Sequence, residues 1–211
     1  MSKFHLNIQE LIQGEFILNK VNIAFVFQVN CPGCFIYGIP IMNDLYKSFK
    51  DKAGFIGVAT AFEDFEYNNE ESLKLLLNDG TLVGETKKHY QSNYELSNYP
   101  EKLNFPVAFD RITASDEFVT TEMIKLICDA VPNFEAYSET EQEILIQKVK
   151  AYYDQIPVIA ETFTINQLQG TPSFIIFDES YTILGKYFGY QNLDVLKNKL
   201  EDLLTQKKSN A

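Results

Sequence analysis

Arginine occurs once in the 211 residues, at Arg111, and tryptophan does not occur at all. Bidentate clamping of carboxylates and phosphates is largely arginine work, so little of that chemistry is open to this chain. Basic residues are scarce in general: 18 Lys and Arg stand against 29 Asp and Glu, for a net charge of −11. Such a surface repels phosphate backbones, which argues against a nucleic-acid partner. No run of 18 or more apolar residues is present, so no membrane span is expected. The first twenty residues lack a basic start followed by an apolar stretch, the pattern of a secretory signal peptide; a cytoplasmic location is the expectation. Three cysteines are too few for a disulfide scaffold.

Apolar residues make up 45% of the sequence, including 17 Phe and 12 Tyr, which is ample for a substantial core and unlike a disordered chain. Val21 to Val29 is a nearly continuous run of β-branched and aromatic residues, the pattern of a strand buried on both faces. Ile41, Met42, Leu45 and Phe49 follow at helical spacing, with Gly54 expected to end that helix. Phe55 to Ala61 reads as a second buried strand, and Glu70 to Leu77 as a helix stopped by Asp79-Gly80. This order of strand, helix, strand and helix predicts an α/β sheet with parallel neighbours. Phe105 to Phe109 is a further strand in which Pro106 marks an edge or a beginning.

The alternation then lapses. Met123, Ile124, Ile127, Cys128 and Val131 share one helical face; Leu145, Val149, Tyr152 and Ile156 share another, opened by Ser138 and Glu141 as a capping box. Residues 112–157 therefore read as a helical insertion within a single domain spanning 1–211. Ser173–Phe177 and Thr182–Tyr190 form a predicted hairpin, and Leu193, Leu196, Leu200, Leu203 and Leu204 the stripe of a closing helix.

Chemistry concentrates in Cys31-Pro32-Gly33-Cys34. Cys31 falls where the first strand gives way to a helix, and the unpaired N–H groups and dipole of a helix N-terminus favour a thiolate. Pro32 suits the first helical position, and Gly33 leaves slack for two sulfurs to meet across one turn. Cys31 is the expected nucleophile and Cys34 the buried partner that resolves a mixed disulfide. The alternative, half a zinc site, needs four ligands, and Cys128, His5 and His89 lack ligand spacing; neither a metal nor another cofactor is expected. Cys128 reads as a small buried hydrophobe, and both histidines as solvated surface residues.

Three segments together resemble a known family: Phe27–Cys34 with Tyr37-Gly38-Ile39-Pro40; Gly57–Glu63; and Phe105–Asp110 with Gly170-Thr171-Pro172-Ser173-Phe174. They are similar to the thioredoxin-fold superfamily, and within it to the redoxin or TlpA-like thiol-disulfide oxidoreductases with their AhpC/TSA-like relatives. The resemblance implies a central mixed sheet flanked by helices, a cis Pro172 facing the cysteines, and Thr171 offering backbone to an extended substrate. The implied partners are a disulfide-containing protein or small-thiol substrate and an unspecified electron donor. The chain departs from the pattern at Asn30, where relatives often carry an aromatic residue. It departs again at Ala24 and Phe25, where thioredoxins bury an acid. Glu63 is a candidate replacement proton acceptor, weighed against a plain solvated carboxylate. Two other functions are open: a peroxiredoxin-like peroxidase, weakened by Gln28 where Thr is usual, and a redox-sensing binding module with no turnover.

Overall fold

The computed structural model describes residues 2–131 and 133–206. Its centre is a six-stranded mixed sheet in the order β1-β4-β3-β2-β7-β8. The strands are β1 (Ile8–Gln13), β2 (Val21–Phe27), β3 (Gly54–Ala59), β4 (Val107–Asp110), β7 (Ser173–Asp178) and β8 (Ile183–Phe188). β2, β3 and β4 run parallel, whereas β1, β7 and β8 each run antiparallel to the neighbour they join. All seven residues of β2 are buried, as a central strand covered on both faces requires. Side chains alternate across it. Phe25 and Phe27 face one core layer with Phe105 and Phe174, while Ala24 and Val26 face a second with Ile56, Val58 and Ala108.

Helices α1 (Ile39–Phe49), α2 (Glu70–Asp79), α3 (Gly84–Tyr94) and α8 (Leu193–Gln206) contribute to the Phe25 layer. α1 ends before the bend at 50–53, so Gly54 opens β3 rather than closing the helix. Asn69 caps α2, and Gly80 ends it in the left-handed conformation. Pro106 immediately precedes β4, which lies inside the sheet because β1 covers its outer side. On the opposite face Phe4, Phe163 and Leu168 cover the Val26 layer.

Between β4 and β7 the chain forms β5 (Ile112–Ala114), α4 (Ser115–Phe118), α5 (Thr121–Asp129), α6 (Glu139–Tyr153), β6 (Val158–Ala160) and α7 (Glu161–Ile165). β5 and β6 pair as a two-stranded antiparallel ribbon. Ile124, Ile127 and Cys128 of α5 are buried, with Val149 of α6 against them. The capping box of Ser138 and Glu141 is present. Tyr152, expected on the buried face of α6, points outward, and Tyr153 packs in its place. His5 is half-buried, not solvated: its N–H donates to Asn166 Oδ1 while Asn166 Nδ2 donates to its carbonyl, and burial lowers its pKa.

Candidate active site

The cysteine motif sits directly beyond the carboxyl end of β2, at the entrance to a helix. That helix does not start as a plain α-helix. Cys34–Gly38 form a π turn, with the Ile39 N–H bonded to the Cys34 carbonyl, before α1 continues. Pro40 accounts for it: without an N–H it cannot extend the regular i to i−4 ladder. Gly38 lies on this turn against the Phe25 ring, and a Cβ there would also press on Pro172 at 3.3 Å. Glycine therefore permits the close approach that brings helix and proline loop together.

Cys31 and Cys34 stand at disulfide-bonding distance, with their Cα atoms 5.3 Å apart. Cys34 is fully buried, while Cys31 is only partly buried. The Cys34 N–H donates to Cys31 Sγ at 3.2 Å, so the sulfur occupies the position of an N-cap acceptor. Opposite it, the Thr171 carbonyl oxygen lies 3.7 Å from Cys31 Sγ. The Thr171–Pro172 peptide bond is cis, and the Pro172 carbonyl accepts from the Gly189 N–H. Ile36 on the π turn is exposed, as are Phe188, whose ring lies by Gly170, and Tyr190, edge-on to Tyr37 at 5.3 Å between ring centres.

Asn30 turns out to be a structural hub. Its N–H donates to Asn68 Oδ1, its Nδ2 donates to the Asp64 carboxylate at 2.9 Å, and its Oδ1 accepts the Glu85 N–H at 2.6 Å. The last bond supplies a cap that α3 lacks, because its own N-cap residue is Val83. Gly84, at φ +50°, makes room for this: a Cβ there would overlap the Asn30 carboxamide.

Glu63 lies exposed on the loop after β3, where its carbonyl accepts from Asn68 Nδ2. The deeply buried carboxylate is instead Asp110, at the end of β4. It accepts from Thr60 Oγ1 at 2.7 Å and from the N–H groups of Thr162 and Phe163 at 2.8 and 3.2 Å. Burial pushes its pKa up to about 6, against the opposing pull of those bonds. Asp110 closes the fully buried strand Val107–Asp110, and no local sequence pattern distinguishes it from a solvated carboxylate at a strand end. Arg111, the next residue, is exposed and places Nε 3.4 Å from the carboxylate of the buried Glu161. Gln28 joins the site unexpectedly, its Oε1 accepting from Thr171 Oγ1 at 2.9 Å.

Cys128 is a buried free thiol in α5 whose pKa is raised by burial and then by Asp129. Among the described residues no group of three or more His, Cys, Asp or Glu is placed to hold a metal ion. Among the same residues no helix is long and apolar enough to cross a membrane.

No protein-family model matches the sequence, and no curated protein matches it either. Solved structures do. A thioredoxin-like superfamily protein aligns at 21% identity and a TM-score of 0.56, covering 96% of both chains. A thiol-disulfide isomerase from Corynebacterium glutamicum aligns at 22% identity and 0.56, again over 96% of each. A thioredoxin-like protein solved in solution in its oxidised form aligns at 10% identity and 0.52, over 97% of this chain and 94% of that one. At these identities the likeness establishes the fold, which is thioredoxin-like. Within that fold the chain carries a cysteine pair at disulfide distance, the arrangement of a redox-active C-x-x-C site.

Proposed function

We propose that this protein is a thiol-disulfide oxidoreductase of the redoxin or TlpA-like kind, reducing disulfides in proteins or small molecules. One observation carries the reading. The sulfur of the partly buried Cys31 accepts the Cys34 N–H at the helix start and faces the carbonyl before a cis proline, while its partner Cys34 is sealed in the core. The asymmetry divides the labour. The Cys31 thiolate attacks one substrate sulfur, forming a mixed disulfide and expelling the first substrate thiolate. The Cys34 thiolate then attacks Cys31 Sγ, expelling the second thiolate and leaving the Cys31–Cys34 disulfide. A dithiol electron donor returns the pair to the reduced state.

Thr171 and Pro172 are the substrate-facing backbone in this reading, and the exposed Ile36, Phe188 and Tyr190 favour a polypeptide substrate. Pro32 and Gly33 supply the helix start. Glu63, exposed on its loop, remains a candidate proton acceptor for Cys34. A cytoplasmic setting, where thiols are kept reduced, makes reduction the expected direction. Residues 1–211 are taken as one domain with an insertion at about 112–157.

The test is insulin-disulfide reduction, together with thiol titration against a glutathione buffer, for wild type, Cys31→Ser and Cys34→Ser. Cys31→Ser is expected to abolish exchange, and Cys34→Ser to accumulate mixed disulfides. Equal reactivity of the two single variants would refute the assignment.

A further inference from the structure

Gln28 lies three residues before Cys31, just past the end of β2. Phe27 pairs with Ala59, and Ala59 with Phe109. The next residue of each parallel strand, Gln28, Thr60 and Asp110, therefore falls in one row along the carboxyl edge of the sheet. By alternation all three turn toward the layer of Val26, Val58 and Ala108. All three are buried, Gln28 at 2% exposure.

Buried polar groups in such a layer need internal partners. Thr60 and Asp110 have them in each other and in the first N–H groups of α7. Gln28 is only half served. Its Oε1 accepts from Thr171 Oγ1 at 2.9 Å. Among the described residues, its Nε2 is the one buried side-chain nitrogen or oxygen with no hydrogen-bond partner. A methionine would fill the same space without burying an unpaired donor, so the bond to Thr171 is the one contact the carboxamide adds. The other end of that carboxamide reaches the threonine whose carbonyl stands 3.7 Å from Cys31 Sγ.

We infer that Gln28 is a positioning residue for polypeptide substrates, its Oε1 holding the Thr171 hydroxyl so that the Thr171–Pro172 backbone is presented beside Cys31. The inference rests on the oxidoreductase reading given above. A bound polypeptide would pair with this backbone, whereas a small disulfide needs only Cys31. Loosening the loop therefore acts on one substrate class and spares the other.

The test uses the full chain with Gln28→Met, Thr171→Val and the double variant. Three quantities are measured: thermal midpoint, kcat and KM for insulin reduction, and the rate with bis(2-hydroxyethyl) disulfide. Gln28→Met is expected to melt at or above the wild-type temperature, because it removes the unpaired donor. Its KM for insulin should rise at least fivefold with kcat within twofold, and its small-disulfide rate should stay within twofold. Thr171→Val should raise KM comparably, and the double variant no further, since both break one bond. An unchanged KM in Gln28→Met would overturn the inference alone. So would equal losses on both substrates, or failure of Gln28→Met to fold, each of which would make the residue structural. A wild-type protein inert toward both disulfides would overturn the oxidoreductase reading itself, and this inference with it.

Discussion

Replacing Asn30 with alanine should destabilise the protein by about 2 kcal/mol, and the structure says where that figure arises. Two side-chain bonds disappear. The first is the cap on α3, the Glu85 N–H to Asn30 Oδ1 bond at 2.6 Å; losing an N-cap costs roughly 1 kcal/mol within a range of about 0.5–2. Val83 cannot compensate, because valine has no side-chain acceptor. The second is the bond from Asn30 Nδ2 to the Asp64 carboxylate. Bonds to charged groups reach about 1.5–3 kcal/mol, but this pair is exposed, so ~1 kcal/mol is the fair share. For a domain of this size each kcal/mol moves the midpoint by roughly 2–4 °C, giving a fall of about 4–8 °C. The assay is thermal and urea unfolding followed by circular dichroism on the oxidised protein. A loss under ~0.5 kcal/mol would refute the view of Asn30 as the bracket between the Cys31 loop, the loop after β3 and α3.

Two further outcomes follow from buried groups. Because burial raises Asp110 to about 6 from an ordinary 3.8, its proton is held more tightly in the folded than in the unfolded chain. Its contribution to stability is fully present below pH ~4 and is lost as pH rises through 6, amounting to ~3 kcal/mol at most. Asp110→Asn should flatten that part of the profile in urea titrations between pH 4 and 7; an unchanged slope would contradict the assignment. Cys128, fully buried with a raised pKa, should resist alkylation until the protein unfolds. Mass mapping of the oxidised protein should then find Cys31 joined to Cys34, and a bridge from either to Cys128 would contradict this.

The legible parts of the sequence were those where burial imposes a pattern. β2 and β3 are apolar on both faces, and their runs announce strands. The hairpin of β7 and β8 is announced in the same way, with its turn residues between. The placement of Thr171-Pro172 opposite the cysteine motif was implied by the resemblance, although the two lie 140 positions apart in sequence. β1 was not legible, because it lies at the edge of the sheet and exposes Gln9, Glu10 and Leu11. Nor was α3, whose sequence is polar and buries Thr86 and Tyr90 alone. Its start is fixed by Asn30, 55 residues upstream, which no local signal could reveal. Tyr152 and Tyr153 show the limit of periodicity on a helix with no fully buried residue: a slip of one position selects the wrong ring. Asp110 and Gln28 became informative only once the parallel strands set them in one row, with Thr60 at the end of the middle strand between them.

The ribbon of β5 and β6 has a consequence for how this architecture can change. Ala114 stands opposite Val158, so the 43 residues numbered 115–157 leave the body and return to it at a single doorway. Closing a longer excursion at such a doorway costs only a logarithmic amount of chain entropy, about 0.6 kcal/mol for each doubling of length. Phe118 and Ile127 of the excursion pack on Ile159 and Ile165 at its base, so drift in length or charge is easiest on the surfaces away from that contact. The outer helices can thus acquire new surfaces while the Cys31–Cys34 pair stays anchored to the sheet.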